Sequence, residues 1–235
     1  MEKCVDGFAD GMFSEEYAKS IKEDLRTMKV AVLGSYINPS AADDDELKKN
    51  IEKFKEKIRY ATVLEPIAVG TETGVYKEGE NDTEEAYARV LGSFRELTAE
   101  AEKYGVCIAI EGVHCFVINT PQKMKRLVDD LDSDNVKVIF DPVNYLNIGN
   151  YREQDRIIND TFDLLGDKIC VLHAKDFIVS DGKLLMVKPG KGDLNYALIF
   201  KRMRELGLDI PVICEEISDR SAVTSFGRLE SIARG

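Results

Sequence analysis

The feature that most constrains the fold of this chain is a regular alternation of short apolar runs with amphipathic segments. We interpret six runs rich in β-branched residues as strands: Lys29–Leu33, Pro66–Val69, Val106–Ile110, Val136–Phe140, Ile169–Leu172 and Pro211–Cys214. The runs are almost continuously apolar, which is typical of strands buried on both faces of a parallel sheet. Repeated strand–helix units predict such a sheet with helices packed around it.

The segments between these runs carry apolar side chains at helical spacing. From Asp43 to Ile58, for example, Leu47, Ile51 and Phe54 lie on one helical face. The other predicted helices span residues 14–28, 84–104, 121–131, 153–165, 195–206 and 222–233. No linker rich in Pro, Gly or Ser interrupts the pattern, so we expect residues 1–235 to form a single domain.

Counting strands indicates which parallel fold is expected. A closed eight-stranded (β/α) barrel typically needs about 250 residues, and this chain has 235 residues and six predicted strands. We therefore predict an α/β fold of the TIM-type (β/α) barrel class that is shortened at its N-terminus and lacks the first two strands. The alternative is an open parallel α/β sheet. Two missing strands leave unpaired edges, which proteins usually cover, so a homo-oligomer is one expectation.

Composition excludes several classes of function. The formal net charge of −11 disfavours a basic surface for nucleic acid. The chain has neither a long apolar span nor an N-terminal secretion signal, which predicts a cytoplasmic protein that does not bind a membrane. Five cysteines without a Cys-x-x-Cys pair exclude a thiolate zinc site.

The last four apolar runs are each followed directly by a residue of a metal-binding type: Glu111, Asp141, His173 and Glu215. In a parallel barrel the carboxyl ends of all strands open onto one mouth, so these side chains are expected to converge. Carboxylates with one imidazole suit Mn²⁺, Mg²⁺, Co²⁺ or Zn²⁺. For any single position, the alternative is a loop residue that meets water.

The sequence motifs at these strand ends resemble those of a known family. They read Ile-Glu-Gly-Val-His from residue 110, Ile-Phe-Asp-Pro-Val-Asn from 139, His-Ala-Lys-Asp from 173 and Cys-Glu-Glu from 214. Together they resemble the sugar phosphate isomerase/epimerase family, which belongs to the xylose isomerase-like TIM barrels. The resemblance covers residues 14 to 217 and includes Gly-Ser-Tyr-Ile-Asn-Pro from 34, Gly-Thr-Glu-Thr-Gly from 70 and Pro-Gly-Lys-Gly-Asp from 189.

This resemblance implies a metal-dependent enzyme. One divalent ion would be held by Glu111, Asp141, His173 and Glu215, with Glu216 as the alternative to Glu215. Adjacent strand residues face opposite sides, and the register of the last run favours Glu215. The implied activity is isomerisation or epimerisation of a small sugar, sugar phosphate or polyol-derived ketone through an enediolate, with Glu111 and Glu215 as the acid/base pair.

Other polar residues near the strand ends are candidates for binding the substrate: His114, Asn144, Lys175, Asp176, Lys191, Glu72 and Asn38. Several have simpler alternatives. Lys175 would pair with Asp176, Asn38 would cap a loop, and the glycines around Lys191 would form only a turn rather than a phosphate site.

The sequence also departs from the family pattern. Ketohexose epimerases of this fold carry a Glu six residues after the first metal-binding Glu and an Arg six after the metal-binding His, where this chain has Val117 and Val179. This disfavours a free-ketose 3-epimerase. The alternatives are an inosose-type dehydratase on the same metal site and a non-catalytic truncated barrel that binds a ligand or partner. A multi-zinc DNA-repair endonuclease needs more than the two histidines present.

Overall fold

Strands and helices alternate along the part of the chain that the computed structural model describes, which is residues 11, 13–75, 77, 79 and 81–234. The strands are β1 Val32–Gly34, β2 Ala68–Glu72, β3 Ile108–Glu111, β4 Val136–Phe140, β5 Ile169–Ala174, β6 Asp176–Ser180, β7 Lys183–Val187 and β8 Val212–Cys214. The helices are α1 Glu15–Leu25, α2 Asp44–Leu64, α3 Glu84–Tyr104, α4 Pro121–Leu131, α5 Gln154–Leu165, α6 Tyr196–Glu205 and α7 Asp219–Arg234.

Six of these strands form one parallel sheet in the order β1-β2-β3-β4-β5-β8. These are the six predicted strands. A helix follows each of them along the chain, although β6 and β7 come between β5 and α6. Within the described residues β1 and β8 are the two edges and are not hydrogen-bonded to each other. The sheet is therefore a six-stranded partial barrel. This agrees with the predicted TIM-type barrel, and its unpaired edges also agree with the alternative of an open parallel sheet.

The sheet curves around a small apolar interior. Its inner face carries a buried cluster of Ala68, Ala109, Ile139, Cys170 and Val171. Side chains of both edge strands, Val32 on β1 and Ile213 on β8, pack against this cluster. A Cβ atom on Gly70 would lie 2.6 Å from Val32 Cγ1 and 2.8 Å from Ile139 Cδ1. The side chains of Val32 on β1 and Ile139 on β4 therefore both pack against Gly70 on β2, and a larger residue at this position would push them away.

A second and larger core lies between the sheet and the helices, where the outward-facing strand residues pack against apolar helix faces. Several helices begin at a polar N-cap residue whose side chain accepts a hydrogen bond from the first turn. Asp43 accepts a hydrogen bond from the Glu46 N–H, and Thr120 accepts one from the Lys123 N–H. Gly105 ends α3 in the left-handed conformation, with φ of +65°.

Two features differ from the sequence prediction. Strand β5 continues beyond Leu172 to Ala174, so His173 lies within the strand. An antiparallel hairpin of β6 and β7, absent from the prediction, follows at once. Its turn consists of Asp181 and Gly182, both with positive φ. No helix in the described part of the chain is both long and apolar enough to span a lipid bilayer.

Candidate active site

Three of the predicted ligands come together at the carboxyl end of the sheet. One ligand atom from each of Glu111, Asp141 and His173 lies within 4.8 Å of the other two, and all three residues are buried. They are contributed by the end of β3, the residue after β4, and β5. Metal ligands lie about 2.0–2.2 Å from a zinc ion, so small side-chain adjustments would place these three atoms around one ion. The oxygen and nitrogen donors fit a divalent cation.

Asp141 is fully buried, and its two oxygens have different surroundings. Oδ1 accepts hydrogen bonds from the backbone N–H groups of Val143 and Asn144 at 2.9 and 3.2 Å. Oδ2 accepts no hydrogen bond of ordinary geometry from the described residues, but it lies 2.9 Å from the Lys175 ammonium nitrogen. Burial raises the pKa of the Asp141 carboxyl, and the charge of Lys175 opposes this shift.

His173 lies between two glutamates. Its Nδ1 is 3.2 Å from Glu111 Oε1 and 3.0 Å from Glu215 Oε1. Burial opposes protonation of the imidazole, but these two carboxylates outweigh it and raise the pKa of His173 to about 10. For Glu215, burial acts to raise the pKa, yet hydrogen bonds from His173 and Lys175 lower it to about 2. In this arrangement His173 and Glu215 form an ion pair.

The structure brings Glu215, rather than Glu216, into contact with His173. Glu216 is exposed and has a φ of +55°, so the chain turns away immediately after Glu215. Glu215 does not belong to the compact trio of Glu111, Asp141 and His173. Its contacts are instead with His173 and with the Lys175 Nζ, at 2.8 Å. Its role as a fourth metal ligand stays a prediction.

Asn144 is hydrogen-bonded to both Glu111 and Lys175. Its Nδ2 donates to Glu111 Oε1 at 2.8 Å, and its Oδ1 accepts from Lys175 Nζ at 3.2 Å. The backbone N–H of the exposed His114 donates to the Asn144 carbonyl oxygen at 2.6 Å. The alternative that Lys175 pairs with Asp176 is not what the structure shows, because the Lys175 ammonium contacts Asp141 and Glu215 instead.

Glu72 ends β2 directly beside Glu111, its register partner on β3. Burial, together with the charge of Glu111, raises the pKa of Glu72 to about 7. We call Glu72, Glu111, Asp141 and Glu215 the carboxylate cluster. Near neutral pH, Glu72 can therefore hold or release a proton.

Asp176 has a structural role in the neighbouring loop. Its buried carboxylate accepts the backbone N–H groups of Phe177, Gly192 and Leu194 at 2.8 to 3.0 Å. These bonds fix the loop that contains Lys191, and they fit loop anchoring better than the predicted contact with substrate.

Four backbone N–H groups of the glycine-flanked loop are hydrogen-bonded within the protein and are not free to bind a phosphate. The N–H groups of Lys191 and Asp193 donate to the carbonyl oxygens of Lys188 and Phe177, while those of Gly192 and Leu194 bind Asp176. A substrate contact by the exposed Lys191 side chain stays a prediction.

Asn38 is used in its own turn. Its Oδ1 accepts from the Ser40 N–H and hydroxyl groups, and its Nδ2 donates to Glu46 Oε1 at 3.3 Å. This agrees with the alternative that Asn38 caps a loop, so the structure does not bring it into the carboxylate cluster.

Two tyrosines near the site were missed by the sequence analysis. Tyr36 follows β1, is 59% exposed, and has a pKa raised by partial burial and by the charges of Glu111, Glu215 and Glu72. Its position just after a strand was the available signal. Tyr145 is buried, and its hydroxyl has no hydrogen-bond partner among the described residues. A Cβ atom on Gly112 would lie 2.3 Å from that hydroxyl oxygen, a contact that nothing in the sequence indicates.

Comparisons with known proteins agree with this fold. The curated relative named Uncharacterized protein MJ1311, from Methanocaldococcus jannaschii, is 27% identical over 195 residues, which is 81% of this chain and 64% of the relative. The chain thus spans a little under two thirds of the length of that relative.

Solved structures give the same result. A D-tagatose 3-epimerase-like protein superposes with a TM-score of 0.78 at 23% identity, covering 94% of this chain and 84% of the other. The IOLI protein, solved with a bound zinc atom, superposes with a TM-score of 0.70 at 21% identity, covering 92% and 78%. At these identities the likeness establishes the fold.

The family model described as xylose isomerase-like TIM barrel matches residues 3–233. This confirms the barrel type and the family resemblance read from the strand-end motifs. Because the match spans nearly the whole sequence, the chain belongs to the xylose isomerase-like TIM barrel family.

Proposed function

We propose that this chain is a divalent-metal-dependent isomerase or epimerase that moves a proton beside the carbonyl group of a small sugar, sugar phosphate or polyol-derived ketone. The observation that carries the proposal is the buried trio of Glu111, Asp141 and His173 at the barrel mouth. A buried set of oxygen and nitrogen donors at the carboxyl ends of strands is where barrels of this kind place their chemistry.

The residues that would hold the metal are Glu111, Asp141, His173 and Glu215. A bound Mn²⁺, Mg²⁺, Co²⁺ or Zn²⁺ would stabilise the negative charge that develops on the substrate oxygens as the enediolate forms. The zinc atom in the structurally similar IOLI protein supports this choice of ion class.

Glu215 is the better placed of the two proposed acid/base residues. Its side chain is 28% exposed, whereas that of Glu111 is 3% exposed, so Glu215 can reach a substrate bound in the mouth. Contacts with His173 and Lys175 keep Glu215 ionised and therefore able to accept a proton. Glu111 would return a proton to the substrate from its opposite side.

Asn144, Lys175, His114 and Glu72 surround this pair and would orient the substrate hydroxyl groups. Val117 is buried in the core and Val179 is packed against it, so neither position offers the polar group typical of ketohexose epimerases. This favours a substrate other than a free ketohexose.

The test combines metal analysis with solvent deuterium exchange. Purified protein should contain or bind one divalent ion per chain, and the loaded protein should exchange a carbon-bound proton in at least one member of a panel of ketoses, ketose phosphates and inososes. Product analysis distinguishes reprotonation from loss of water, which would indicate the dehydratase. Fully loaded protein that exchanges no proton in any compound would support the non-catalytic alternative.

Glu215→Gln and Glu216→Gln form a matched pair of variants. Loss of a general base typically lowers the rate by about 10²–10⁴-fold, so we expect E215Q to lose that much of kcat. E216Q should resemble the wild type because Glu216 faces solvent. Activity of E215Q near that of E216Q would contradict the role given to Glu215.

A further inference from the structure

The Lys175 ammonium lies where a cation is expected to bind. Its nitrogen is 2.9 Å from Asp141 Oδ2 and 2.8 Å from Glu215 Oε2, and its side chain is only 16% exposed. A lysine held between two carboxylates neutralises charge that is otherwise costly at this depth.

The oxygen that Lys175 contacts is the one that a metal ion also needs. Asp141 Oδ1 is already occupied by two backbone N–H groups, so Oδ2 is the oxygen left for a cation. An ammonium group and a divalent ion on the same oxygen would lie a few ångströms apart and repel strongly in a partly buried site.

We propose that Lys175 is the resident cation of this site, and that a divalent ion binds only as the ammonium leaves Asp141 Oδ2 and Glu215 Oε2. This inference rests on the proposed function, because it assumes that the carboxylates hold a metal. The contact with Asn144 Oδ1, at 3.2 Å, is the one that the released ammonium can keep. Metal loading thus frees a positive charge at the mouth, where substrate oxygens would bind.

Metal affinity provides the first test. Metal-free wild type, Lys175→Met and the control Lys201→Met are titrated with Mn²⁺, with free Mn²⁺ followed by electron paramagnetic resonance. Lys201 lies on α6 with its side chain 64% exposed, 3.7 Å from Glu205. Removing the competing ammonium should tighten Mn²⁺ binding by about tenfold, whereas K201M should bind like the wild type.

Amine labelling of the wild type tests the displacement itself and needs no variant to fold. Reductive methylation with isotopic formaldehyde, followed by peptide mass spectrometry, should label Lys175 severalfold faster in Mn²⁺-saturated than in metal-free protein. Labelling of Lys201 should not change. A nearby divalent ion also favours the neutral, reactive form of an amine that has not moved. A crystal structure of the Mn²⁺-saturated protein therefore completes the test, because displacement predicts that the Lys175 nitrogen lies beyond hydrogen-bond distance of Asp141 Oδ2, whereas simple repulsion leaves it in place.

The outcomes distinguish the two proposals. Wild type that binds no Mn²⁺ would overturn the metal-dependent function itself. Wild type that binds Mn²⁺ while the reactivity of Lys175 is unchanged or falls would overturn only the resident-cation proposal. Weaker binding by folded K175M would also overturn it, because Lys175 would then be supporting the ligands rather than competing for them.

Discussion

Replacing Gly112 with alanine should destabilise the protein, because Tyr145 fills the space that the added methyl group needs. A Cβ atom on Gly112 would lie 2.3 Å from the Tyr145 hydroxyl oxygen, 2.6 Å from Cζ and 2.7 Å from Cε1. Gly112 is not among the residues with positive φ, so its backbone conformation tolerates alanine. The whole effect should therefore come from this contact.

Tyr145 has little freedom to move away. Its side chain is 2% exposed, and its ring centroid lies 6.4 Å from that of Phe140. Adding a methyl group to a well-packed core typically costs about 1–3 kcal/mol, and we expect G112A to lose this much free energy of unfolding. Because Asn144 precedes Tyr145 and binds Glu111, the shift should also weaken Mn²⁺ binding.

Urea unfolding measures the effect, with Gly92→Ala as the matched control. Gly92 lies within α3, and a Cβ atom there meets nothing within 4 Å. Alanine in place of a helical glycine stabilises by about 0.5–1 kcal/mol. A G112A protein that unfolds at the same urea concentration as wild type would refute the packing argument.

Three further outcomes are expected. The first is measured by thermal unfolding in the presence of a chelator. Stability should be lost as the pH falls from 4.5 toward 2, because the pKa of Glu215 is lowered in the folded protein, and as the pH rises from 6.5 toward 10, because the pKa of His173 is raised. A stability that does not change with pH would contradict this. Asp176→Asn should cost about 1–3 kcal/mol in urea unfolding and speed amide exchange at Gly192, whereas unchanged exchange would refute its anchoring role. Tyr145→Phe should match the wild type or gain up to about 1 kcal/mol, since the hydroxyl has no partner among the described residues; a clear loss would reveal a hydrogen bond to that hydroxyl.

The order of the sheet and the convergence of three candidate ligands could be predicted because both follow from local pattern. Continuous apolar runs identify buried strands, and parallel connection then brings their carboxyl ends together. This reasoning predicted that Glu111, Asp141 and His173 would lie close together without information on any contact between them. The β6–β7 hairpin was not predicted, although Asp181-Gly182 is a strong sequence signal for a two-residue turn.

Partner choice among charged side chains could not be predicted in the same way. Lys175 and Asp176 are neighbours in sequence, yet strand alternation sends them to different surroundings. Lys175 contacts residues 34 positions before it and 40 after it. Asp176 binds backbone groups of a loop whose path depends on the unpredicted hairpin. Such contacts are set by the three-dimensional course of the chain, which apolar periodicity does not encode.

The carboxylate cluster lowers the stability of the fold. Glu72 and Glu111 are register partners on adjacent strands, and like charges placed side by side destabilise a sheet. Within the described residues, His173 and Lys175 are the cationic groups whose charges act on Glu72, Asp141 and Glu215, so the carboxyl groups of the cluster outnumber the cations beside them. A proton on Glu72, whose pKa is raised to about 7, or the proposed divalent ion would reduce this excess of negative charge. Groups that break the rules of stable packing concentrate where chemistry requires them, so this imbalance supports the proposal that the mouth holds a metal ion.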